Sequence, residues 1–362
     1  MAALTFNQVP QARLALSYEQ RDIVRDVAPG LLSLTYTDRL TGQSDDLDLE
    51  LHDAEGFWLN AWYPGHGDSL ALGFSWAGSV MRQLGRFEID EIELSGPPST
   101  VHVRALAAGI RKAVRTVEHR AYESVTLDKV AQQIAARQGL ALVGSIEPIA
   151  LDRLTQQESD LAFLAQLAEQ YDYAFKVRGT QLVFHRISEL AASSPVLTVE
   201  PADLEHWSIR DSLKQVPAAV AVRHHEPTTQ QLVAYDLVNG EIVAVPSSAS
   251  KTTTSADTKK RRKRTTGADS ARAQAKADAA KAQRERTTGS LTLMGAPVLV
   301  SGNVIALDGF GKLSGNYLIT SARHTFSRTG YRSALEVCRV TATAIGFTQD
   351  SSKPDMALTT YG

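Results

Sequence analysis

Hydrophobic residues recur at every second position through much of the first hundred. Leu47, Leu49 and Leu51 alternate with acids in DLDLEL, and Leu70, Leu72, Phe74 and Trp76 alternate with small residues in LALGFSW. Phe87 and Ile89, then Ile92 and Leu94, form two runs whose phase breaks by one residue. A β-bulge or short turn at Asp90–Glu91 absorbs such a break. Val101, Val103 and Ala105 continue the alternation. This pattern predicts antiparallel sheet with one face wet. Residues 1–105 are therefore expected to fold as an N-terminal β-barrel of Greek-key or meander type.

The period changes across residues 106–195, which read as an α/β insert. Thr126 can cap a helix through LDKVAQQIAARQ, whose Leu127, Val130, Ala131 and Ile134 make one apolar face before Gly139 stops it. Thr155 and Glu158 have capping-box spacing ahead of Leu161, Leu164, Leu167, Ala168 and Tyr171, predicting a second helix. YAFKVRGTQLVFHR then reads as a hairpin turning near Gly179–Thr180.

Strand patterning returns in AAVAVRHHEP and QLVAYDLVNGEIVAV, breaks for about 45 residues, and resumes at Leu291. From there Gly295, Gly302, Gly309, Gly311, Gly315 and Gly330 punctuate short runs that suit a small barrel or sandwich. The simplest expectation is a second β-barrel over 196–348, interrupted by a basic loop and helix at 246–289. A flexible C-terminal tail follows at 349–362. The expected fold class is thus mainly β with an α/β insert and two related β-barrel domains. Within the interruption, SSASKTTTSADTKKRRKRTTGADS has nothing to bury and is expected to be mobile in isolation. ARAQAKADAAKAQRER favours helix but lacks an apolar stripe, so it should dock on another surface or fray.

Charge sharpens this picture. The chain's net charge of −2 hides a segregation. Residues 251–290 hold twelve Lys/Arg and four Asp/Glu, net +8, leaving 26 basic and 36 acidic residues elsewhere, net −10. A basic excursion in an acidic body favours salt-sensitive docking on itself or on an acidic neighbour. No run of about 18 apolar residues exists to span a bilayer, and MAALTFNQVPQARLAL lacks the basic-then-apolar order of a signal peptide. The single cysteine, Cys338, sits among valines near a strand end and reads as a buried thiol.

Little in the chain reads as reactive chemistry. Glu158 and Asp160 lie close together, but at a helix start carboxylates serve the positive end of the helix. His224 and His225 are adjacent in a strand and point to opposite faces, and His185, His206 and His324 lack metal-ligand spacing. GFGKLSG at 309–315 lacks the order of a phosphate loop, and its glycines suit close turns. No serine sits in a GxSxG elbow. No catalytic residue, cofactor or metal is assigned.

Three stretches in order carry a family resemblance: QQESDLAFLAQLAEQYDYAFKV with QLVF, the Ala/Lys/Arg helix leading into GSLTLMGAPVLVSGNVIAL, and GNYLITSARHTFSRTGYRSALEV. Together they resemble the late control protein D family of contractile phage tails, the baseplate hub proteins related to the N-terminal part of type VI secretion spike proteins. The resemblance implies a homotrimer of two barrels per subunit, a pseudo-sixfold ring around a channel. Such a hub joins a sixfold tail tube to a threefold central spike. Implied partners are spike, tube and baseplate wedge proteins, with the tape-measure protein as a further candidate. The implied location is the virion tail, after synthesis in the host bacterial cytoplasm; a bacteriocin-like particle fits equally. A permanent hub buries apolar surface between subunits, and FWLNAWY offers Phe57, Trp58, Trp62 and Tyr63. These either plug the end of the first barrel or contact a subunit or spike; the Leu/Ala helix at 161–171 is a second candidate surface. The tract Lys259, Lys260, Arg261, Arg262, Lys263 and Arg264 suits acidic patches on neighbouring tail proteins, with a solvated loop and DNA contact as alternatives. Against the non-enzymatic hub stand two other readings, a peptidoglycan-cleaving hub enzyme and a basic DNA-binding late-control module.

Overall fold

The computed structural model describes residues 11–41, 44–107, 117, 119–212, 219–226, 231–238, 241–246, 258–260 and 267–340; between 219 and 260 it describes the backbone alone. Seven strands come first: β1 (Ala12–Tyr18), β2 (Arg21–Asp22), β3 (Leu31–Arg39), β4 (Asp46–His52), β5 (Ser69–Trp76), β6 (Arg82–Ser95) and β7 (Thr100–Leu106). The insert holds β8 (Arg120–Thr126), β9 (Ala141–Val143), β10 (Ala150–Gln156), β11 (Tyr173–Arg178) and β12 (Gln181–Arg186). Then follow β13 (Leu197–Val199), β14 (Leu204–Asp211), β15 (Ala219–Glu226), β16 (Gln231–Val238), β17 (Glu241–Pro246) and β18 (Thr258–Lys260). β19 (Thr287–Met294), β20 (Val304–Leu307), β21 (Gly315–Ser327) and β22 (Gly330–Arg339) complete the set.

One sheet of 13 strands joins β1–β7 to strands from the later part of the chain, in the order β14-β19-β22-β21-β3-β4-β7-β6-β5-β1-β2, with β20 joined to β21 and β13 to β20. The expected pair of β-barrels is therefore wrong: among the described residues no sheet closes on itself. The reason lies in strand edges. β3, the edge that would have closed the N-terminal half, pairs antiparallel with β21 from Ser33↔Ser327 to Arg39↔Ser321. Alternation reports which face of a strand is buried, not which neighbour its backbone bonds. The strands expected to share the second barrel also separate. β15, β16, β17 and β18 form their own four-stranded sheet, while β14 and β19 to β22 extend the large one.

The inward positions of the alternating runs make the cores. Leu47, Leu49, Leu51, Leu72, Phe74, Phe87, Val101 and Val103 pack together in the N-terminal half. Leu291, Leu293, Ile305, Tyr317, Ile319 and Leu335 form a second core in the C-terminal half. The bulge expected near Asp90–Glu91 is present, as a register shift between Ile89 and Glu91.

The insert has its own core, built from the helix Leu127–Gln138, the helix Asp160–Gln170 and strands β11 and β12. Thr126 stands at the N-cap of the first helix with extended backbone but, against expectation, its side chain makes no cap bond, and Gly139 ends that helix in the left-handed conformation, φ +65°. The hairpin turns at Gly179, φ +57°. The capping box differs from expectation. Thr155 lies in β10, paired with Ala121, and Ser159 caps the second helix by accepting from the Ala162 N–H at 3.4 Å. The Ala/Lys/Arg segment forms the helix Ala268–Arg286 and does dock: Ala271, Ala275, Ala277, Ala279 and Ala282 are buried. Alanines allow close approach, and side-chain bonds fix the pose. Ser270 and Gln274 meet the Tyr171 hydroxyl at 2.8 and 3.1 Å, Lys281 meets Glu169 at 2.7 Å, and Arg284 clamps Asp172 through both nitrogens.

Candidate functional site

FWLNAWY occupies the loop between β4 and β5, and its base is built by Asp53. One Asp53 carboxylate oxygen accepts from the Trp58 N–H at 3.2 Å, and the Asp53 carbonyl accepts from Gly56 N–H at 3.2 Å. The Phe57 carbonyl accepts from Trp62 N–H at 2.9 Å and Asn60 N–H at 3.1 Å, so the loop folds back on itself. The rings follow: Phe57 stacks on Trp62 at 5.1 Å, and Trp58 meets Trp62 edge-on at 5.7 Å. The segment divides by side chain. Trp58 packs on the N-terminal core, whereas Phe57, Trp62 and Tyr63 are 44–50% exposed and Leu59 is 61% exposed. Beneath them lies a cavity of about 290 Å³ lined by Ile23, Val27, Leu49, Leu70 and Val103, with Arg21 and Asp26 among its polar residues. A solvent-facing aromatic cluster over an apolar cavity can bury area against a partner.

The other expected surfaces fare differently. Phe163, Leu164, Leu167, Ala168 and Tyr171 of the second insert helix are core, so the face expected to be free is filled by β11 and the other helices. Lys259 and Lys260 lie in β18, the edge strand beside β15, at Val220↔Lys259 and Ala221↔Lys260. Arg261, Arg262, Lys263 and Arg264 lie outside the described residues.

Polar groups in the interior serve packing. Asp160 accepts from Arg137 at 2.6 and 2.8 Å, from Gln138 at 2.7 Å and from Gln156 at 2.8 Å. Burial pushes its carboxyl up, but these bonds outweigh burial and hold it at about 2. A carboxylate so committed is no proton donor at neutral pH. His324 is enclosed: its Nε2 bonds the Leu299 carbonyl at 2.9 Å, and its Nδ1 faces the Tyr331 and Ser333 hydroxyls at 2.9 and 3.0 Å. Burial lowers its pKa to about 4. Cys338 is buried as expected, which pushes its thiol up to about 11. GFGKLSG forms a short turn with a single 3-10 segment at Gly311–Leu313.

Sequence reasoning missed one buried ionic joint. Lys176 on β11 donates to Asp38 at 2.6 Å and reaches Asp45 at 3.4 Å; Ser301 also donates to Asp38, through its hydroxyl at 2.6 Å. Arg178, two residues on, donates to the carbonyls of Gln83 and Leu84. These two side chains latch the insert to the large sheet. The available signal was two basic residues at period two on a strand whose other face is apolar.

Among the described residues, no three His, Cys, Asp or Glu side chains gather as metal ligands, and no helix is long and apolar enough to cross a membrane. Two probable baseplate hub proteins are similar in sequence. That of Escherichia phage P2 is 31% identical over 222 residues, 58% of this chain and 56% of that protein. That of Escherichia phage 186 is 30% identical over 205 residues, 54% and 52% respectively. The chain thus spans about half the length of these curated relatives. In fold it is similar to the 43 kDa tail protein of prophage MuSo2 from Shewanella oneidensis, with a TM-score of 0.65 at 15% identity, covering 91% of this chain and 98% of that one. It is also similar to a tail protein from Neisseria meningitidis, with a TM-score of 0.63 at 14% identity, covering 91% and 96%. The profile of the family described as Phage tail baseplate hub (GPD) matches residues 102–330. That match takes in more than half of the sequence, and the chain belongs to the phage tail baseplate hub family.

Proposed function

We propose that this chain is a structural, non-enzymatic hub in the tail of a phage or phage-like particle. In this reading it forms a homotrimer joining a sixfold tail tube to a threefold central spike, with baseplate wedge proteins around it. The observation that carries the reading is the family match over residues 102–330. The likeness to tail proteins over 91% of the chain supports the fold. Closed rotational symmetry needs one surface repeated around an axis. Among the described residues each copy has two sheet halves with separate cores, so three copies supply six such units. The exposed Phe57, Leu59, Trp62 and Tyr63 are the apolar patch we assign to a subunit or spike contact. The Lys259–Arg264 tract is assigned to acidic patches on a neighbouring tail or tape-measure protein.

The test is the mass of the purified chain by light scattering, alone and with its spike partner. The expected species is a trimer of about 118 kDa, three times 39.2 kDa, seen with the spike if not alone. Phe57→Ala with Trp62→Ala is expected to abolish the trimer or the spike complex while leaving the melting temperature within a few degrees. A chain that stays monomeric with the spike present overturns the proposal.

A further inference from the structure

Among the described residues, the outer edge of β1 is covered only in part. The Gln11 carbonyl accepts from Ala77 N–H, and the Glu19 N–H donates to the Ser69 carbonyl, so odd-numbered residues of β1 bond toward β5. In an antiparallel ladder the groups of alternate residues face alternate neighbours. The N–H and C=O of the even residues therefore point away from β5. The Leu16 carbonyl on that side accepts from Ile23 N–H at 3.0 Å. Beyond the short β2, the outward groups of Ala12 and Leu14 have no backbone partner among the described residues.

Those same two residues line a cavity of about 420 Å³. Its apolar lining comes from Leu14, Leu31, Trp76, Met294, Phe326 and Tyr331, and its far wall from Glu205 on β14 and the turn between β21 and β22. The volume lies within the range of ligand pockets, about 300–1,000 Å³. An unpaired strand edge beside an apolar trough is the arrangement that accepts an added strand: the backbone supplies affinity and the trough selects alternate side chains.

Charge sets the rest of the chemistry. Residues 12–14, 204–206 and 327–332 carry Arg13, Arg328 and Arg332 against the single acid Glu205. Arg332 is engaged by Glu205 at 2.7 Å, whereas Arg13 and Arg328 are exposed and have no carboxylate partner among the described residues. Arg13 lies on the opposite face of β1 from Ala12 and Leu14. An added strand would therefore meet apolar groups with one set of side chains and Arg13 with the other.

The geometry points to a strand-addition site: we infer that an extended segment of a partner protein, apolar at alternate residues and acidic between them, pairs with Ala12 and Leu14 and lays its apolar side chains in this trough.

The probe is a fluorescent, end-capped peptide of about eight residues alternating valine and glutamate, titrated against the full chain by anisotropy at low salt. Its counterparts alternate valine with lysine, or carry N-methyl groups on alternate amides in either phase. The glutamate peptide is expected to bind at least about tenfold more tightly than the lysine peptide, and one N-methylation phase to abolish binding. Ala12→Pro removes an outward N–H and no bond to β5, so it should weaken binding at least about tenfold with little change in melting temperature. Should that variant fold poorly, Arg13→Glu with Arg328→Glu, both at exposed positions, keeps the question open to decision: preference should pass to the lysine peptide. Equal binding of the two peptides overturns the inference, as does unchanged binding to well-folded Ala12→Pro or to the charge-reversed variant.

Discussion

Lys176→Met removes the charge at the joint between insert and sheet and keeps much of the side chain's length. The ammonium lies 2.6 Å from Asp38 and 3.4 Å from Asp45, and the carboxylate side chains are only 5% and 4% exposed. Breaking a buried pair by deleting one partner costs about 3–5 kcal/mol. Lys176 itself is 17% exposed, and Asp38 keeps its bonds from the Ser301 N–H and hydroxyl, which places the loss near the lower end, about 3 kcal/mol. The pH dependence is distinctive. Burial, then the negative charge of Asp38, pushes the Asp45 carboxyl above its ordinary 3.8. A carboxyl raised in the folded state takes up its proton more readily there than in the unfolded chain. The penalty of holding it ionised is full above the folded pKa and shrinks as pH falls toward 3.8. Lys176→Met should therefore lose less near pH 4 than at pH 7, because protonation of Asp45 relieves the uncompensated charge. Urea unfolding followed by tryptophan fluorescence measures both losses, and Asp45→Asn added to Lys176→Met should recover part of the stability at pH 7. A loss below about 1 kcal/mol at pH 7, or an equal loss at both pH values, would refute the latch.

Three further outcomes are expected. His324 has its pKa depressed to about 4 from 6.5, so the stability it contributes is complete above pH 6.5 and is lost as pH falls from 6.5 to 4, about 3 kcal/mol in all; His324→Gln should flatten that part of the stability profile, and an unchanged slope would dismiss the assignment. Asp160→Asn leaves Arg137 without its carboxylate and should lower stability by about 2–4 kcal/mol, read as a drop in urea midpoint. Gly144 has φ +123°, and a Cβ there would lie 1.8 Å from the Phe184 carbonyl oxygen; Gly144→Ala should unfold the insert or leave the chain insoluble, and a variant melting within a few degrees of the parent would contradict the packing.

Much of the structure decided by a residue's own neighbours in sequence was legible, although the cap of the second insert helix is Ser159 and not Thr155. Gly139 and Gly179 adopt the positive φ their turns require, the bulge falls at Ile89/Glu91, and Leu47, Phe74 and Val101 are buried on the face the alternation marks. What failed was the pairing of strand edges, which distant partners decide. The β3–β21 ladder joins residues about 290 positions apart, as in the Thr35–Thr325 hydroxyl contact at 3.3 Å. No feature of YTDR or ITSARHTF distinguishes an edge that closes a barrel from one that extends a sheet. Lys176 likewise reads as an ordinary solvated charge until Asp38, Asp45 and Ser301 surround it. For the surface patch, composition singled out the aromatic segment, but only the backbone bonds from Asp53 and Phe57 decide that Trp58 turns inward while Phe57, Trp62 and Tyr63 turn out.

The way the parts are joined bears on how a hub of this fold could move. The two sheet halves share a seam of seven paired residues between β3 and β21, and separating them means breaking a hydrogen-bond ladder along its length. The insert is attached by different means: a small apolar cluster of Leu40, Ala174, Ile187, Val304, Leu318 and Cys338, the Lys176 node, the Arg178 bonds and the clamp of Arg284 on Asp172. Side-chain joints of this kind can give way one contact at a time, while a continuous ladder resists as a unit. A cavity of about 770 Å³ lies at this joint, lined by residues of the insert, the long helix and the sheet, so some rearrangement there need not create a new void. If the hub changes shape on binding its neighbours, the hinge belongs at the insert and the large sheet travels as one body.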